Sequence, residues 1–170
     1  MSPADAQGFF RLLAASERPL IYAGGGINNG NAAAELRAFA ERFGIPVVTT
    51  LLGIGAIDTT HELAFQMLGM HGTAYANYAV EDCDFLFAVG SRFDDRVAGK
   101  VKEFAPRATV AHLDIDASEI GKVKSVDWAH VVDAKIGLAQ LLRAGSDFKK
   151  DFGRWRAYLK DLKQRHALNF

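Results

Sequence analysis

Cysteine is almost absent from this chain: among 170 residues only Cys83 carries a thiol. No internal disulfide can form, so the fold must rest on its core, and a reducing compartment is the natural setting. The surrounding residues, Val80-Glu81-Asp82-Cys83-Asp84-Phe85, are acidic, which disfavours a thiolate and marks a structural thiol. Net charge is lacking as well, since 20 Lys and Arg balance 20 Asp and Glu. Without a bulk positive field, neither nucleic acid nor a membrane surface is an expected partner, while zero net charge favours association. No apolar run approaches the roughly 18 residues a membrane helix needs, and no basic-then-apolar leader opens the chain, so no signal peptide is expected. There is no metal-ligand spacing, no Gly-Lys-Ser/Thr phosphate loop, no nucleophile elbow and no evident general base. Nothing expected to be catalytic stands in this chain.

What is there is a rhythm. With 49% hydrophobic and 24% charged residues the chain has an ordinary globular composition and the length of one domain. Short apolar runs alternate with a glycine or polar turn and then a helical pattern. Residues 5–15 place Phe9, Phe10, Leu12 and Leu13 at helical spacing before Pro19 breaks the pattern. Residues 20–23 form a first strand, ended by Gly24-Gly25-Gly26. A helix over 31–43 has Leu36, Phe39, Ala40 and Phe43 as its stripe, closed by Gly44. Further strands fall at 46–51, 85–89, 109–114 and, more weakly, 130–132, and a charged helix at 148–166 reads as a connector. Strands apolar on both faces and separated by helices imply a parallel sheet covered on both sides, a three-layer α/β fold. Nearly every strand ends in glycine or aspartate, and in open α/β sheets ligands bind beyond the carboxyl ends of the strands.

Four clusters sit at those ends. Gly24-Gly25-Gly26-Ile27-Asn28-Asn29-Gly30 leads from a strand into a helix, where backbone N–H groups suit a phosphate. It is not a dinucleotide fingerprint in register, because Asn29 stands where a third glycine belongs, and a tight turn is the structural alternative. Leu68-Gly69-Met70-His71-Gly72 offers close backbone approach with an adaptable apolar and a polar contact, although a lone histidine is more often structural. Gly90-Ser91-Arg92-Phe93-Asp94-Asp95-Arg96 brings two arginine forks suited to phosphate or carboxylate, against the alternative of a self-satisfied ion cluster. Asp114-Ile115-Asp116 and Asp133 supply carboxylates for ligand hydroxyls or for capping. Asp116 with Ser118 fits capping, which leaves Asp114 as the ligand contact.

Together these blocks resemble the central domain of the acetolactate synthase (acetohydroxyacid synthase) catalytic subunits, within the thiamine-diphosphate enzymes. The resemblance runs over residues 5–165 and is carried by Pro19-Leu20-Ile21-Tyr22-Ala23-Gly24-Gly25-Gly26, Gly44-Ile45-Pro46-Val47-Val48-Thr49-Thr50-Leu51-Leu52-Gly53, the stretch from Met67 to Val80, Gly90 to Val97, His112-Leu113-Asp114-Ile115-Asp116 and Glu119-Ile120-Gly121-Lys122. It implies a doubly wound, Rossmann-like (DHS-like NAD/FAD-binding) sheet of five or six parallel strands. It also implies a domain over 1–146 and a connecting helix over 147–170 toward a C-terminal domain.

The resemblance further implies that this domain holds FAD in a structural rather than a redox part. By matching position Gly25, Thr50, Leu51, Leu52, Gly53, Leu68, Gly69, Met70, His71, Gly90, Arg92, Asp94, Asp114, Ile115 and Asp133 would line it. Val132 stands where the family has a glycine. Arg96 would hold the carboxylate of the second 2-keto acid, with Asp95 and Met70 near the mouth. Thiamine diphosphate and magnesium would be bound by N- and C-terminal domains absent here, so the chain alone would be inactive. The whole enzyme would join two 2-keto acids with decarboxylation in branched-chain amino-acid biosynthesis. A homo-oligomer, a regulatory small subunit and a cytoplasmic (in plants or algae, plastid) location are implied in the same way. The other readings are a free-standing nucleotide-binding module and a scaffold of the same fold.

Overall fold

The apolar runs become strands, and the central ones are buried as their composition requires. β1 (Pro19–Ala23) and β4 (Phe85–Val89) are buried at every residue, as strands covered on both faces must be. The computed structural model describes residues 1–93 and 103–167. In it β2 (Val47–Thr49), β3 (Ala64–Met67), β5 (Thr109–Asp114) and β6 (Trp128–Val131) complete a six-stranded sheet of order β3-β2-β1-β4-β5-β6. Every pairing is parallel. The chain starts in the middle at β1, runs outward to β3, then crosses back to β4 and runs outward the other way. The switch point therefore lies between β1 and β4, which is where doubly wound sheets place their ligands.

Helices form where the sequence gives an apolar stripe and a cap. α1 (Pro3–Ala15) starts with a capping box in which Ser2 and Asp5 satisfy each other's backbone N–H. The short α2 (Gly25–Asn29) follows β1, and α3 (Ala33–Phe43) ends at Gly44 in the left-handed conformation, φ 65°. α4 (Ala74–Asp82) is capped by Thr73, and α5 (Ala134–Ala144) by Asp133. α6 (Gly153–Arg165) follows last.

On one face α1, α3 and α5 pack together over the sheet. Phe9 of α1 is fully buried there, its ring edge-on to Phe39, Phe85, Phe87 and Trp128 at 4.8 to 6.1 Å. On the other face α4 packs on α6. The sequence pattern of α6 suggests a connector, yet Trp155, Leu159 and Leu162 join the same core, and the Trp155 indole N–H donates to the Pro19 carbonyl at 2.8 Å.

One strand escapes the sequence pattern. β3 is an edge strand, shifted in register against β2 between Val47 and Thr49, with Gln66 at φ 61°. Gln66 interrupts the apolar stretch from Leu63 to Leu68, and a four-residue strand with a left-handed glutamine has no clean alternation to announce it. Its Ala64 carbonyl takes the Lys163 ammonium of α6 at 2.9 Å. The weak last strand starts two residues and ends one residue earlier than its apolar run suggests, at Trp128–Val131. The second is shorter, because Thr50 turns the chain into a 3₁₀ turn over Leu51–Gly53.

Candidate functional site at the carboxyl edge of the sheet

At the switch point the backbones of two strand ends touch. The Gly24 N–H donates to the Val89 carbonyl at 3.0 Å and the Gly26 N–H to the Gly90 carbonyl at 2.9 Å. A Cβ on Gly24 would lie 2.2 Å from the Gly90 carbonyl oxygen, and one on Gly26 2.7 Å from the Gly90 Cα. Gly90 itself has φ 55°. These glycines exist so that β1 and β4 can exit side by side. The expectation that the glycine loop presents its amides to a phosphate is corrected in part: two of those donors are spent inside the protein. The loop is also a short helix rather than an open turn.

On the β3 side of that contact, the exits of β2 and β3 are two tethered turns. Thr50 donates its N–H to the Ala23 carbonyl at 3.0 Å, and its hydroxyl accepts from the Gly53 N–H at 3.0 Å. Asn28 of α2 clamps the same turn, giving its amide to the carbonyls of Leu52 at 2.8 Å and Ile54 at 3.0 Å. Gly25 faces Leu52, where an added Cβ would come within 2.9 Å of the Leu52 Cβ. After β3, buried Leu68 donates its N–H to the Thr49 carbonyl at 3.2 Å. The Asn77 side chain of α4 both accepts from the Gly69 N–H (2.8 Å) and donates to the Gly69 carbonyl (3.0 Å). The turns so held present apolar side chains to solvent: Leu51 is 68% exposed, Leu52 70% and Met70 86%, with His71 exposed beside it.

The β6 side is built on charge. Asp114, at the end of β5, is buried to 7% exposure. Its Oδ1 accepts from the Asp116 N–H at 2.9 Å, while its Oδ2 lies 3.8 Å from Nε2 of His112. Burial alone would raise this carboxyl, but the imidazole beside it and the amides of Asp116 and Ile115 outweigh burial and hold it below the ordinary carboxylate range. Ile115 is 70% exposed next to it. Asp116 spends itself as a cap, accepting from the N–H and hydroxyl of Ser118, as its position beside Ser118 suggests. Asp133 is a cap too: its Oδ1 accepts from the N–H groups of Lys135 and Ile136 at 2.9 and 3.3 Å. Arg92 is exposed at the exit of β4. Asp94, Asp95 and Arg96 lie outside the described residues.

Cys83 is buried under α4, where burial and then the charge of Asp84 push its thiol up to about 12. It is inert at neutral pH, in keeping with its acidic sequence setting. Among the described residues no group of three His, Cys, Asp or Glu could hold a metal ion, and no helix is long and apolar enough to cross a membrane. Three side chains that shape this edge, Asn28, Asn77 and His112, lie within the sequence blocks named above but have no individual role assigned to them there. The only signal for the first two is an asparagine within ten residues of a glycine turn, too common to single them out.

Comparison with known proteins places this geometry. The model of the thiamine pyrophosphate enzyme central domain matches residues 7–141. Acetolactate synthase 3 (chloroplastic) of Brassica napus is 48% identical over 164 residues, 94% of this chain and 25% of its own length. The acetolactate synthase large subunit of Corynebacterium glutamicum is 49% identical over 158 residues, 91% of this chain and 25% of its own. That of Parasynechococcus marenigrum is 53% identical over 131 residues, 77% and 21% respectively. The chain thus spans about a quarter of the length of the curated relatives it matches. It belongs to the thiamine pyrophosphate enzyme family, as a central domain of the acetolactate synthase type.

Proposed function

We propose that this chain is the FAD-holding part of an acetolactate synthase. The supporting observation is the carboxyl edge: an open rim carrying exposed Leu51, Leu52, Met70 and Ile115 beside the buried carboxylate of Asp114. Six parallel strands at roughly 4.8 Å spacing give a rim about 24 Å long, enough for an extended dinucleotide. Apolar side chains suit a flat ring system, and a carboxylate held ionised suits ribityl or ribose hydroxyls. On this reading Gly25, Thr50, Gly53, Leu68, Gly69, His71 and Gly90 form the floor, Arg92 and Asp94 face polar parts of the ligand, and Asp133 contributes its second oxygen. Arg96 would meet the substrate carboxylate, with Asp95 and Met70 near the mouth.

Bound thiamine diphosphate would supply the carbanion chemistry of the whole enzyme. The described residues offer no metal-binding group to hold its diphosphate, so that role is assigned to the domains carried by the remaining three quarters of the relatives. The joining of two 2-keto acids, magnesium dependence, a homo-oligomer and a regulatory subunit belong to that whole protein. So do a boundary near residue 146, with 147–170 leading on to the next domain, and a cytoplasmic or plastid location.

Titrating the chain with FAD and following flavin fluorescence tests the reading. Saturable quenching that is lost on Asp114→Ala is expected. An unchanged flavin signal at high micromolar FAD would favour the scaffold alternative, which the spent amides of Gly24 and Gly26 support. Incubation with pyruvate, thiamine diphosphate and magnesium should form no acetolactate.

A further inference from the structure

His112 enters so far only as a neighbour of Asp114, yet its setting demands an account. It lies in the middle of β5, in one cross-sheet row with Ala88 of β4 and Tyr22 of β1. The residue has 0% exposure, with the Phe93 ring edge-on at 5.3 Å. Tyr22, Phe93 and Phe104 surround one another at 5.8 to 6.0 Å. A phenylalanine or leucine would fill such a space without burying polar atoms. Instead the imidazole is buried with Nδ1 lacking a hydrogen-bond partner among the described residues, an arrangement that proteins seldom keep for packing alone.

Its other nitrogen makes two contacts that no apolar residue could. Nε2 is 3.0 Å from the Ser91 carbonyl oxygen. Because a carbonyl only accepts, Nε2 carries the proton. The same Nε2–H faces Oδ2 of Asp114 at 3.8 Å. Ser91 is in turn fixed from the β1 side, where its hydroxyl donates to the Tyr22 carbonyl at 3.2 Å, and the Tyr22 hydroxyl donates to the Arg92 carbonyl at 3.4 Å. One imidazole thus joins the exit of β4 to the exit of β5, the two strand ends between which Gly90, Arg92 and Asp114 stand.

We propose that His112 is a positioning residue of the cofactor groove: through Nε2–H it sets the Ser91 turn and the Asp114 carboxylate relative to each other, touching no ligand itself. The proposal rests on the flavin reading for its purpose, but its geometry can be tested without flavin. Glutamine places an N–H donor near the Nε2 position and should keep the link; asparagine is too short, and phenylalanine has no donor.

The experiment compares the wild-type chain with His112→Gln, His112→Asn and His112→Phe. In ligand-free protein, carbon-13 NMR follows the Asp114 carboxyl titration and the Ser91 carbonyl shift; in parallel, FAD affinity is measured by fluorescence. His112→Phe and His112→Asn should raise the Asp114 midpoint, move the Ser91 carbonyl and weaken FAD about tenfold or more. His112→Gln should stay within about threefold of wild type. A folded His112→Phe with unchanged Asp114 titration and Ser91 shift overturns the proposal. If His112→Phe does not fold, the asparagine and glutamine variants decide: different behaviour supports the link, equal behaviour overturns it. Should wild type bind no FAD, the flavin reading fails by itself, while the ligand-free signals still decide for or against the link.

Discussion

The middle and the flanks of one sheet edge have opposite designs. At the exits of β1 and β4 the chain is backbone on backbone, with Gly24, Gly26 and Gly90 in direct contact and two amides consumed. At the exits of β2, β3 and β5 the backbone is tied down by side chains, Asn28, Thr50, Asn77 and the Asp114 cluster, and leucine, methionine and isoleucine stand out in solvent. Glycines in such a fold draw the eye as ligand contacts, yet here the middle ones keep the sheet together at its switch point. Exposed apolar residues look accidental one at a time. Collected along one rim they form a continuous apolar margin, which is the surface the proposed function uses.

Four measurements would break or sharpen that contrast. Gly24→Ala should cost about 3 kcal/mol of stability, because its Cβ meets backbone rather than a yielding side chain; a urea midpoint equal to wild type would end the view of the middle as packing. Asp133→Ala should cost about 1 kcal/mol through loss of the α5 cap, and its effect on FAD affinity shows whether the second oxygen serves a ligand. Asp114 has the opposite sensitivity, to acid. Its carboxyl titrates below the unfolded value, so its contribution is present above the unfolded pKa and fades as pH falls through the folded one. Asp114→Asn should lessen the loss of stability as pH falls below about 4, the ordinary carboxylate value, and thermal melts taken downward from there would show it. Smallest of all, Leu52→Ala and Met70→Ala should leave stability within about 0.5 kcal/mol while weakening FAD several-fold; loss of stability without loss of binding would move the rim residues into the structural class.

Much of this was legible from residue order, for physical reasons that differ by element. β1 and β4 are apolar runs flanked by breakers, and β5 is apolar but for Thr109, His112 and Asp114, so buried parallel strands account for them. Asp116 caps as its place beside Ser118 implies, since a short polar side chain ahead of a helical turn has a local hydrogen bond to make; Ser2, Thr73 and Asp133 cap by the same rule. β3 was hidden because Gln66 leaves the extended region and the strand is only four residues long. The use of the glycines was hidden as well, because close approach of Gly24 to Gly90 joins residues far apart in sequence. His112 carried no individual sign: in sequence it is one histidine of the block from His112 to Asp116, and its meaning comes from Ser91 and Asp114 meeting over it.

The irregular β3 margin has a consequence for assembly. A regular edge strand is a template on which foreign polypeptide can crystallise into further strands. Here the register slip, the left-handed Gln66 and the lysine lodged on the Ala64 carbonyl spoil that template. Any neighbour approaching from this side must recognise side chains, and the sheet is protected from growing by accident into an aggregate.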